Sequence, residues 1–280
     1  MRADVHRFSL KDPSDVSGLN EAIEKGVIDP ARIVAIIGKT HGNGLVNDYT
    51  RGYLTLCLSQ LIGFRTGASA ENVRKRVPFV FSGGVEGVLS PHYAVFTVDP
   101  AANARSEQKS LALGVAFTPE LSPLDVGRQR QIDMTAQAVS EAMTSASIES
   151  PGDVHFVQVK GPAFTLDDIV SAGNSGLSCA TDNPGKLMGF GRAASALGVA
   201  KALVEIPTNR ALETAVLHDF HTMLNDGDID QQRHIRAAVG AIVAAVLNDT
   251  ALFVSGGAEH QGPDGGGLIA IIAEKGIRVE

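Results

Sequence analysis

Two short motifs each occur twice in this chain, and this repetition constrains the fold more than any other feature. A lysine follows an apolar run at Lys39 (DPARIVAIIGKT) and again at Lys160 (SPGDVHFVQVKGP). A serine ends an apolar run at Ser82 (VPFVFSGGVEG) and again at Ser255 (ALFVSGGAEHQG), each within Ser-Gly-Gly-x-Glu. Such self-similarity is typical of proteins built from copies of one unit. We predict a unit with a lysine at the end of one strand and a serine at the end of another, 43 residues apart in the first copy.

The later copies of this unit are incomplete. No serine occurs from residue 196 to 254, and no lysine occurs between Lys201 and Lys275. Both gaps cover residues 205–225, so a single deletion there accounts for the loss of a serine and a lysine together. Whereas 280 residues would suggest about two domains, the repeats predict three units. We place unit A at residues 1–104, unit B at 111–220 without its C-terminal part, and the remainder of unit C at 221–280.

The alternation of short apolar runs with helical patterns predicts an α/β protein. Thirty glycines and twelve prolines divide the sequence into these segments. The predicted strands are apolar on both faces, as buried strands are, and cover residues 32–37, 77–81, 94–97, 112–117, 154–159, 251–254 and 268–272. The predicted helices cover residues 17–25, 50–61, 127–146, 194–204 and 229–247.

Charge and cysteine content narrow the choice of partners and compartment. The formal net charge is −7, which argues against a nucleic-acid or anionic-lipid partner because both require a basic surface. The two cysteines stand in separate segments, so neither a disulfide framework nor a CxxC zinc site is expected. No apolar run reaches the roughly 18 residues of a membrane span. We expect a cytoplasmic protein with a small-molecule partner and no membrane contact.

A serine and a lysine brought together at strand ends can perform acyl transfer. A neutral lysine accepts the serine proton, and glycines after the serine let backbone N–H groups approach a developing oxyanion. The alternative is that Ser82 and Ser255 only begin tight turns. The duplication, with a glutamate after each copy, favours the catalytic interpretation without excluding the turn.

One arginine accompanies each unit, at or near a predicted helix start. These are Arg51, Arg192 and Arg236. A guanidinium suits carbonyl oxygens and anions, although a solvated arginine is the commoner outcome.

Other motifs exclude several classes of enzyme. The GKT at Gly38 to Thr40 is not a P-loop because Ile33 stands where that motif requires glycine. No GxGxxG, GxSxG or HExxH pattern occurs, so no organic cofactor and no catalytic zinc are expected. The segment GAEHQGPDGGG offers many carbonyls that suit a hard cation, but a plain turn explains it equally well.

Taken together, GKTHGNGLVNDYTR, FVFSGGVEGVLSPH, HFVQVK, GRAASALGVA and VSGGAEHQGPDGGG resemble the ring-opening amidohydrolases, the family of cyanuric acid hydrolase and barbiturase. The resemblance covers almost the whole chain. It implies three similar α/β units around a pseudo-three-fold axis, forming a central β-barrel-like core that offers Ser-Lys pairs to a cyclic imide. It also implies a homotetramer and a structural divalent cation, magnesium or calcium.

The resemblance assigns roles to individual residues. The catalytic set is Lys39, Ser82, Lys160 and Ser255, with Lys160 as general base. The substrate-binding set is Arg51, Ser82, Gly83, Arg192, Arg236, Ser255 and Gly256. The metal-binding set is Ala258, Gln261, Gly262, Pro263 and Gly266.

The chain departs from the family after Phe220. There the family has a small-residue segment with the nucleophilic serine of the second unit, whereas here Phe220 runs directly into His221. Ser195 is a poor substitute because it lies in a helical pattern that the family also has. The expected reaction is ring opening of cyanuric acid to carboxybiuret, then biuret and CO₂. Two alternatives stay open: the protein acts on barbituric acid instead, or it is a catalytically dead relic that only binds a cyclic imide.

Overall fold

The computed structural model describes residues 2–44, 47–84, 90–101, 111–154, 156–174, 176–216, 259–260 and 266–274, the last two ranges by their backbone alone. These residues divide into two compact units, one within residues 1–113 and one within 114–274. Both combine helices with sheets, so the predicted α/β class is confirmed. The pseudo-three-fold arrangement stays a prediction, as do the boundaries of the three predicted repeats.

The first unit is a four-stranded sheet with three helices. Its elements are β1 (Arg2–Ser9), α1 (Ser17–Glu24), β2 (Ile33–Lys39), α2 (Thr50–Thr66), α3 (Ala70–Arg76), β3 (Phe79–Ser82) and β4 (His92–Asp99). The strand order is β1-β4-β2-β3. Strand β4 is antiparallel to both β1 and β2, whereas β2 and β3 are parallel. A short 3-10 helix, Pro30–Arg32, leads into β2.

Apolar side chains from this sheet and its helices form the core of the first unit. Ile33 and Ile36 of β2 pack with Leu54 and Leu58 of α2, and all four are fully buried. Gly38 belongs to β2, where a Cβ would collide with the backbone of the neighbouring β4. Gly38 and Lys39 are therefore strand residues rather than part of a phosphate-binding loop, as the sequence predicts.

The second unit contains a three-stranded sheet, a two-stranded sheet and three helices. Its elements are β5 (Leu111–Glu120), α4 (Gln129–Ser145), β6 (Phe156–Lys160), β7 (Pro162–Ala163), α5 (Leu166–Gly173), α6 (Pro184–Ala202), β8 (Glu259–His260) and β9 (Gly266–Glu274). The strand order of the larger sheet is β5-β9-β6, with β6 and β9 antiparallel, and the smaller sheet pairs β7 with β8 in parallel. A 3-10 helix, Pro151–Asp153, leads into β6. Two further 3-10 helices cover Thr208–Arg210 and Glu213–Ala215.

Small residues let α4 and α6 pack closely in the core of this unit. Ala193, Ala194 and Leu197 of α6 cluster with Ile132 of α4. A Cβ at Gly198 would collide with the Ile132 carbonyl oxygen. Such close packing requires the alanine- and glycine-rich face that α6 presents.

Most predicted elements lie within a few residues of the observed ones. The largest difference is α6, which begins at Pro184 rather than at residue 194 because Asn183 caps it and accepts a hydrogen bond from Lys186 N. The predicted helix at 229–247 and strand at 251–254 lie outside the described residues. Within the described part of the chain, no helix combines the length and apolar character of a membrane span.

Candidate functional site

Lys39 and Ser82 meet at one edge of the first sheet. They are register partners at the ends of the parallel strands β2 and β3, and the carboxyl ends of parallel strands lie at the same edge. Lys39 Nζ donates to Ser82 Oγ at 3.2 Å and to the carbonyl oxygen of Gly83 at 3.1 Å. Ser82 is buried and Lys39 is half-buried. The structure thus brings together the lysine and serine that the sequence predicts for the first unit.

The glycines after Ser82 place backbone N–H groups beside this pair. Gly84 N–H donates to the carbonyl oxygen of Gly42, which fixes the loop after β3 against the loop after β2. Gly83 N–H has no such acceptor among the residues that the structure describes. Of the two groups, Gly83 N–H is therefore the one suited to a developing oxyanion.

A buried carboxylate, Asp48, organises the loop between β2 and α2. It accepts hydrogen bonds from Gly44 N at 2.8 Å, Thr50 N at 3.0 Å and Thr50 Oγ1 at 2.6 Å. A Cβ at either Gly42 or Gly83 would overlap this carboxylate. Both glycines are therefore required by the close approach of Asp48.

Arg51 lies beside the same carboxylate. It is the second residue of α2 and only 1% exposed. Its Nε lies 3.7 Å from Asp48 Oδ2, and both side chains are almost entirely shielded from solvent. Asp48 therefore links Arg51 to the loop that carries Gly83. Sequence reasoning missed Asp48, although an acidic residue three positions before a candidate arginine in a glycine-rich loop was an available signal.

The second unit positions Lys160 and Arg192. Lys160 is the last residue of β6, half-buried, and pairs with Leu268 of β9. Arg192 is 5% exposed, and burial lowers the pKa of its guanidinium. The prediction that Arg192 lies near a helix start is wrong, because α6 begins at Pro184 and Arg192 falls two turns inside it.

Ser195 serves helix packing. It is 3% exposed in α6 and accepts a hydrogen bond from Gln131 Nε2 of α4 at 3.0 Å. Gln131 also donates to the carbonyl oxygen of Gly191 and accepts from Gly127 N. Ser195 is thus part of a polar contact between α4 and α6.

The remaining predicted site residues lie outside the described part of the chain. They are Ser255, Gly256, Arg236, Ala258, Gln261, Gly262 and Pro263. Gly266 is described by its backbone alone, as the first residue of β9. Elsewhere, the described side chains contain no group of three or more His, Cys, Asp or Glu suited to a metal ion.

Comparison with known proteins relates the chain to one family. The family model described as amidohydrolase ring-opening protein matches residues 4–221 and again 213–274. The chain is 38% identical to a cyanuric acid amidohydrolase of Pseudomonas sp. (strain ADP), over 96% of this chain and 98% of that protein. It is 34% identical to a cyclic amide hydrolase of Azorhizobium caulinodans, over 97% and 99% respectively.

Solved structures give the same relationship. One structure of cyanuric acid hydrolase superposes with a TM-score of 0.77 at 37% identity, covering 97% of this chain and 99% of that chain. The cyanuric acid hydrolase of A. caulinodans superposes with a TM-score of 0.73 at 36% identity, covering 98% and 99%.

The alignments also reveal a gap inside this chain. The alignment with the Pseudomonas protein extends over 357 residues, so at least 77 of its positions have no counterpart among these 280 residues. The two family-model matches meet at residues 213–221, around the position where the repeats predict a deletion, which itself lies outside the described residues. Apart from this gap the resemblance extends over nearly the full length of the relatives. The chain therefore belongs to the ring-opening amidohydrolase family.

Proposed function

We propose that this protein opens the ring of cyanuric acid by hydrolysing one of its amide bonds, without an organic cofactor. The observation that carries the proposal is the 3.2 Å contact between Lys39 Nζ and Ser82 Oγ at paired strand ends. At that separation a proton can pass directly between a lysine and a serine, and the proposal assigns the same chemistry to Lys160 and a serine of the second unit. Relatives named cyanuric acid amidohydrolase, 33–38% identical over nearly their whole length, supply the substrate.

In the proposed mechanism a neutral lysine accepts the proton of a serine hydroxyl while the serine oxygen forms a bond to a ring carbonyl carbon. The tetrahedral intermediate collapses with cleavage of the C–N bond, and the ring nitrogen takes the proton from the lysine. Water then attacks the serine ester and releases carboxybiuret, which restores the serine. Carboxybiuret loses CO₂ to give biuret.

We assign the role of general base to Lys160, following the family resemblance. The serine that the resemblance assigns to this step belongs to the segment that is missing after Phe220. Backbone N–H groups beside Ser82 and Ser255 stabilise the oxyanion in this proposal, and Gly83 N–H is the described candidate.

Buried arginines support recognition of a flat imide by its carbonyl oxygens. Arg51 and Arg192 are 1% and 5% exposed, and a guanidinium shielded from water binds a carbonyl oxygen more strongly than a solvated one. Arg236, Ser255 and Gly256 complete the proposed substrate contacts. We favour cyanuric acid over barbituric acid because arginines and serines that recur with the repeats suit a ligand with three equivalent edges, whereas one edge of barbituric acid ends in CH₂.

Barbituric acid is the second candidate substrate. One relative from A. caulinodans is named only cyclic amide hydrolase, a name that does not specify which cyclic amide it opens. This favours barbituric acid as a second candidate. A non-catalytic imide-binding protein is the third candidate, and the gap of at least 77 alignment positions is the observation that favours it.

Turnover of the purified full chain decides between these candidates. We expect mass spectrometry to detect biuret and CO₂ as products from cyanuric acid. Barbituric acid should give little product. Lys160→Ala is expected to lower kcat by about 100- to 10,000-fold, whereas Lys186→Ala, which removes an exposed lysine of α6, serves as the control. Binding of cyanuric acid without turnover at any pH would contradict the proposal and support the non-catalytic candidate.

A structural cation accompanies the proposed fold. The five residues assigned to it by resemblance offer backbone carbonyls and the amide oxygen of Gln261, which are the hard donors that Mg²⁺ and Ca²⁺ prefer. When bound, the ion would hold the glycine-rich segment in one conformation. We expect metal analysis to find one divalent ion per chain and chelation to lower Tm.

Assembly and location complete the proposal. We propose a homotetramer, supported by large apolar side chains that are exposed on α2 and just before it, among them Tyr49 at 73% and Phe64 at 82%. Light scattering of the purified protein tests this. We also propose a cytoplasmic location, which the free thiols of Cys57 and Cys179 support.

A further inference from the structure

Gln131 is a buried amide that joins α4 to α6 and to the loop before α4. It is the third residue of α4 and only 1% exposed. Its Oε1 accepts from Gly127 N–H at 2.8 Å, and its Nε2 donates to the Gly191 carbonyl oxygen and to Ser195 Oγ, both at 3.0 Å. An amide side chain has one oxygen and two N–H groups. Both ends of the amide are used here, so the contacts hold the side chain in one orientation.

Two glycines allow the backbones to approach closely at this amide. Gly127 has a φ of +75°, and a Cβ there would lie 2.8 Å from Cβ of Phe190. A Cβ on Gly191 would lie 3.1 Å from Cγ1 of Val126 and 3.7 Å from Nε2 of Gln131. The loop before α4 and the middle of α6 are therefore shaped around the Gln131 side chain.

The buried face of α6 is rich in alanine. Ala193, Ala194 and Leu197 cluster with Ile132 of α4. Short side chains form shallow ridges that interlock weakly with the grooves of a neighbouring helix. A buried polar contact, by contrast, can specify the register of two packed helices. We therefore expect the amide of Gln131 to hold α6 in one axial position against α4.

Arg192 lies between the two points at which Gln131 contacts α6. Gly191 precedes it directly, and Ser195 follows it within one helical turn. Arg192 is 5% exposed, so its side chain has little free space in which to compensate for a movement of its backbone. A shift of α6 by about 1 Å would move the guanidinium by a similar amount, which is enough to weaken a contact with a substrate.

From these contacts we propose that Gln131 is a positioning residue: by holding α6 at Gly191, it places the Arg192 guanidinium where it binds a carbonyl oxygen of the cyclic imide. Gln131 itself touches no substrate. The bond to the Gly191 carbonyl oxygen carries the effect because that carbonyl belongs to the backbone leading into Arg192, whereas the bond to Ser195 adds stability only. The role of Arg192 in this inference rests on the proposed ring-opening function.

Chemical modification tests the position of Arg192 without any turnover. Phenylglyoxal reacts with arginines that it can reach, and peptide mass spectrometry gives the rate at Arg192 relative to Arg130, whose side chain is 63% exposed. Gln131→Met should raise this relative rate by about 10-fold or more, because α6 is released from its position. Ser195→Ala is the matched control, since it leaves the Gly191 bond in place, and should leave the rate unchanged.

A second variant guards against misfolding. Gln131→Asn is one CH₂ shorter, so its amide falls short of α6, and it should raise the modification rate in the same way if Gln131→Met does not fold. An unchanged rate at Arg192 in a folded variant of Gln131 would overturn the inference.

Kinetics connect the position of Arg192 to the substrate. In a chain that opens cyanuric acid, Gln131→Met should raise KM by about 10-fold with a smaller change in kcat, because a binding contact is displaced. In an Arg192→Ala background the same substitution should raise KM no further, since its target is gone. An equal further rise would show that Gln131 acts independently of Arg192 and would overturn the inference. If the wild type shows no turnover, the proposed function fails, while the modification rates still decide whether Gln131 positions Arg192.

Discussion

The carboxylate of Asp48 lies 3.7 Å from Nε of Arg51, and the two side chains are 0% and 2% exposed. Asp48→Asn keeps the shape of the side chain and an oxygen acceptor but removes the negative charge. We expect the free energy of unfolding, measured with urea, to fall by about 3 kcal/mol because a buried guanidinium loses its counter-charge. The kcat/KM for cyanuric acid should fall as well, since Arg51 loses a group that orients it.

Asp4→Asn is the matched control for this change. It removes the carboxylate of the Arg2–Asp4 ion pair, whose side chains are 66% and 41% exposed. A solvated pair contributes little, so the change in unfolding free energy should stay below about 0.5 kcal/mol. Equal effects of the two substitutions would contradict the assignment of Asp48 as a positioning residue.

Gly83→Ala should damage the site because its Cβ would overlap the Asp48 carboxylate and the Gly44 backbone. We expect a loss of about 1–3 kcal/mol in unfolding free energy from overpacking and a fall of about 100-fold in kcat/KM from the displaced N–H group. Gly52→Ala is the control: it is exposed in α2 with open space around the added Cβ, so helix propensity should raise stability by about 0.5–1 kcal/mol. Wild-type kinetics in Gly83→Ala would contradict the proposed donor.

Tyr93 should make the protein sensitive to alkali. The side chain is fully buried, and this burial raises the pKa of its hydroxyl. Because the pKa of the Tyr93 hydroxyl is higher in the folded state, this hydroxyl contributes its full stabilisation below the unfolded-state pKa of about 10. That stabilisation is lost as the pH rises above the unfolded-state pKa. Urea unfolding at pH 8 and at pH 10.5 should therefore show a smaller loss of stability in Tyr93→Phe than in the wild type. An identical loss in both would show that other groups dominate the alkaline transition.

Ser195→Ala should leave ring opening unchanged. The substitution removes the acceptor of the Gln131 hydrogen bond, so we expect a loss of about 1 kcal/mol in unfolding free energy with wild-type kcat at temperatures where the protein is folded. Abolished turnover in a folded Ser195→Ala variant would instead identify Ser195 as the nucleophile.

Local sequence signals predicted the elements whose residues carry strong patterns. Buried strands such as β2 and β3 are apolar runs that end in a chemically distinctive residue, so both their positions and the Lys39–Ser82 pair followed from the repeats. Strand β1 (RADVHRFS) was missed because its charged and apolar residues alternate without an apolar run, although it pairs with β4 and its Phe8 packs against the core.

Contacts between residues far apart in the chain could not be predicted from the sequence. Asp48 acts on Gly83 through a contact between residues 35 positions apart, and no spacing rule predicts such a contact. Likewise, no sequence signal predicted that β9 lies between β5 and β6. Strand order in a sheet depends on which strand edges are available for pairing. The amino-acid composition of a single strand does not encode this.

The position of β9 has a consequence for how the two units fold. Lys39 and Ser82 are 43 residues apart in the chain, but Lys160 and its partner Leu268 are separated by 108. Loop-closure entropy rises by only about 0.6 kcal/mol per doubling of loop length, so the longer closure weakens the second unit little at equilibrium. Folding rate depends more strongly on such separations. The pairing of β2 with β3 should therefore protect its backbone amides early in refolding, whereas the pairing of β6 with β9 should form later.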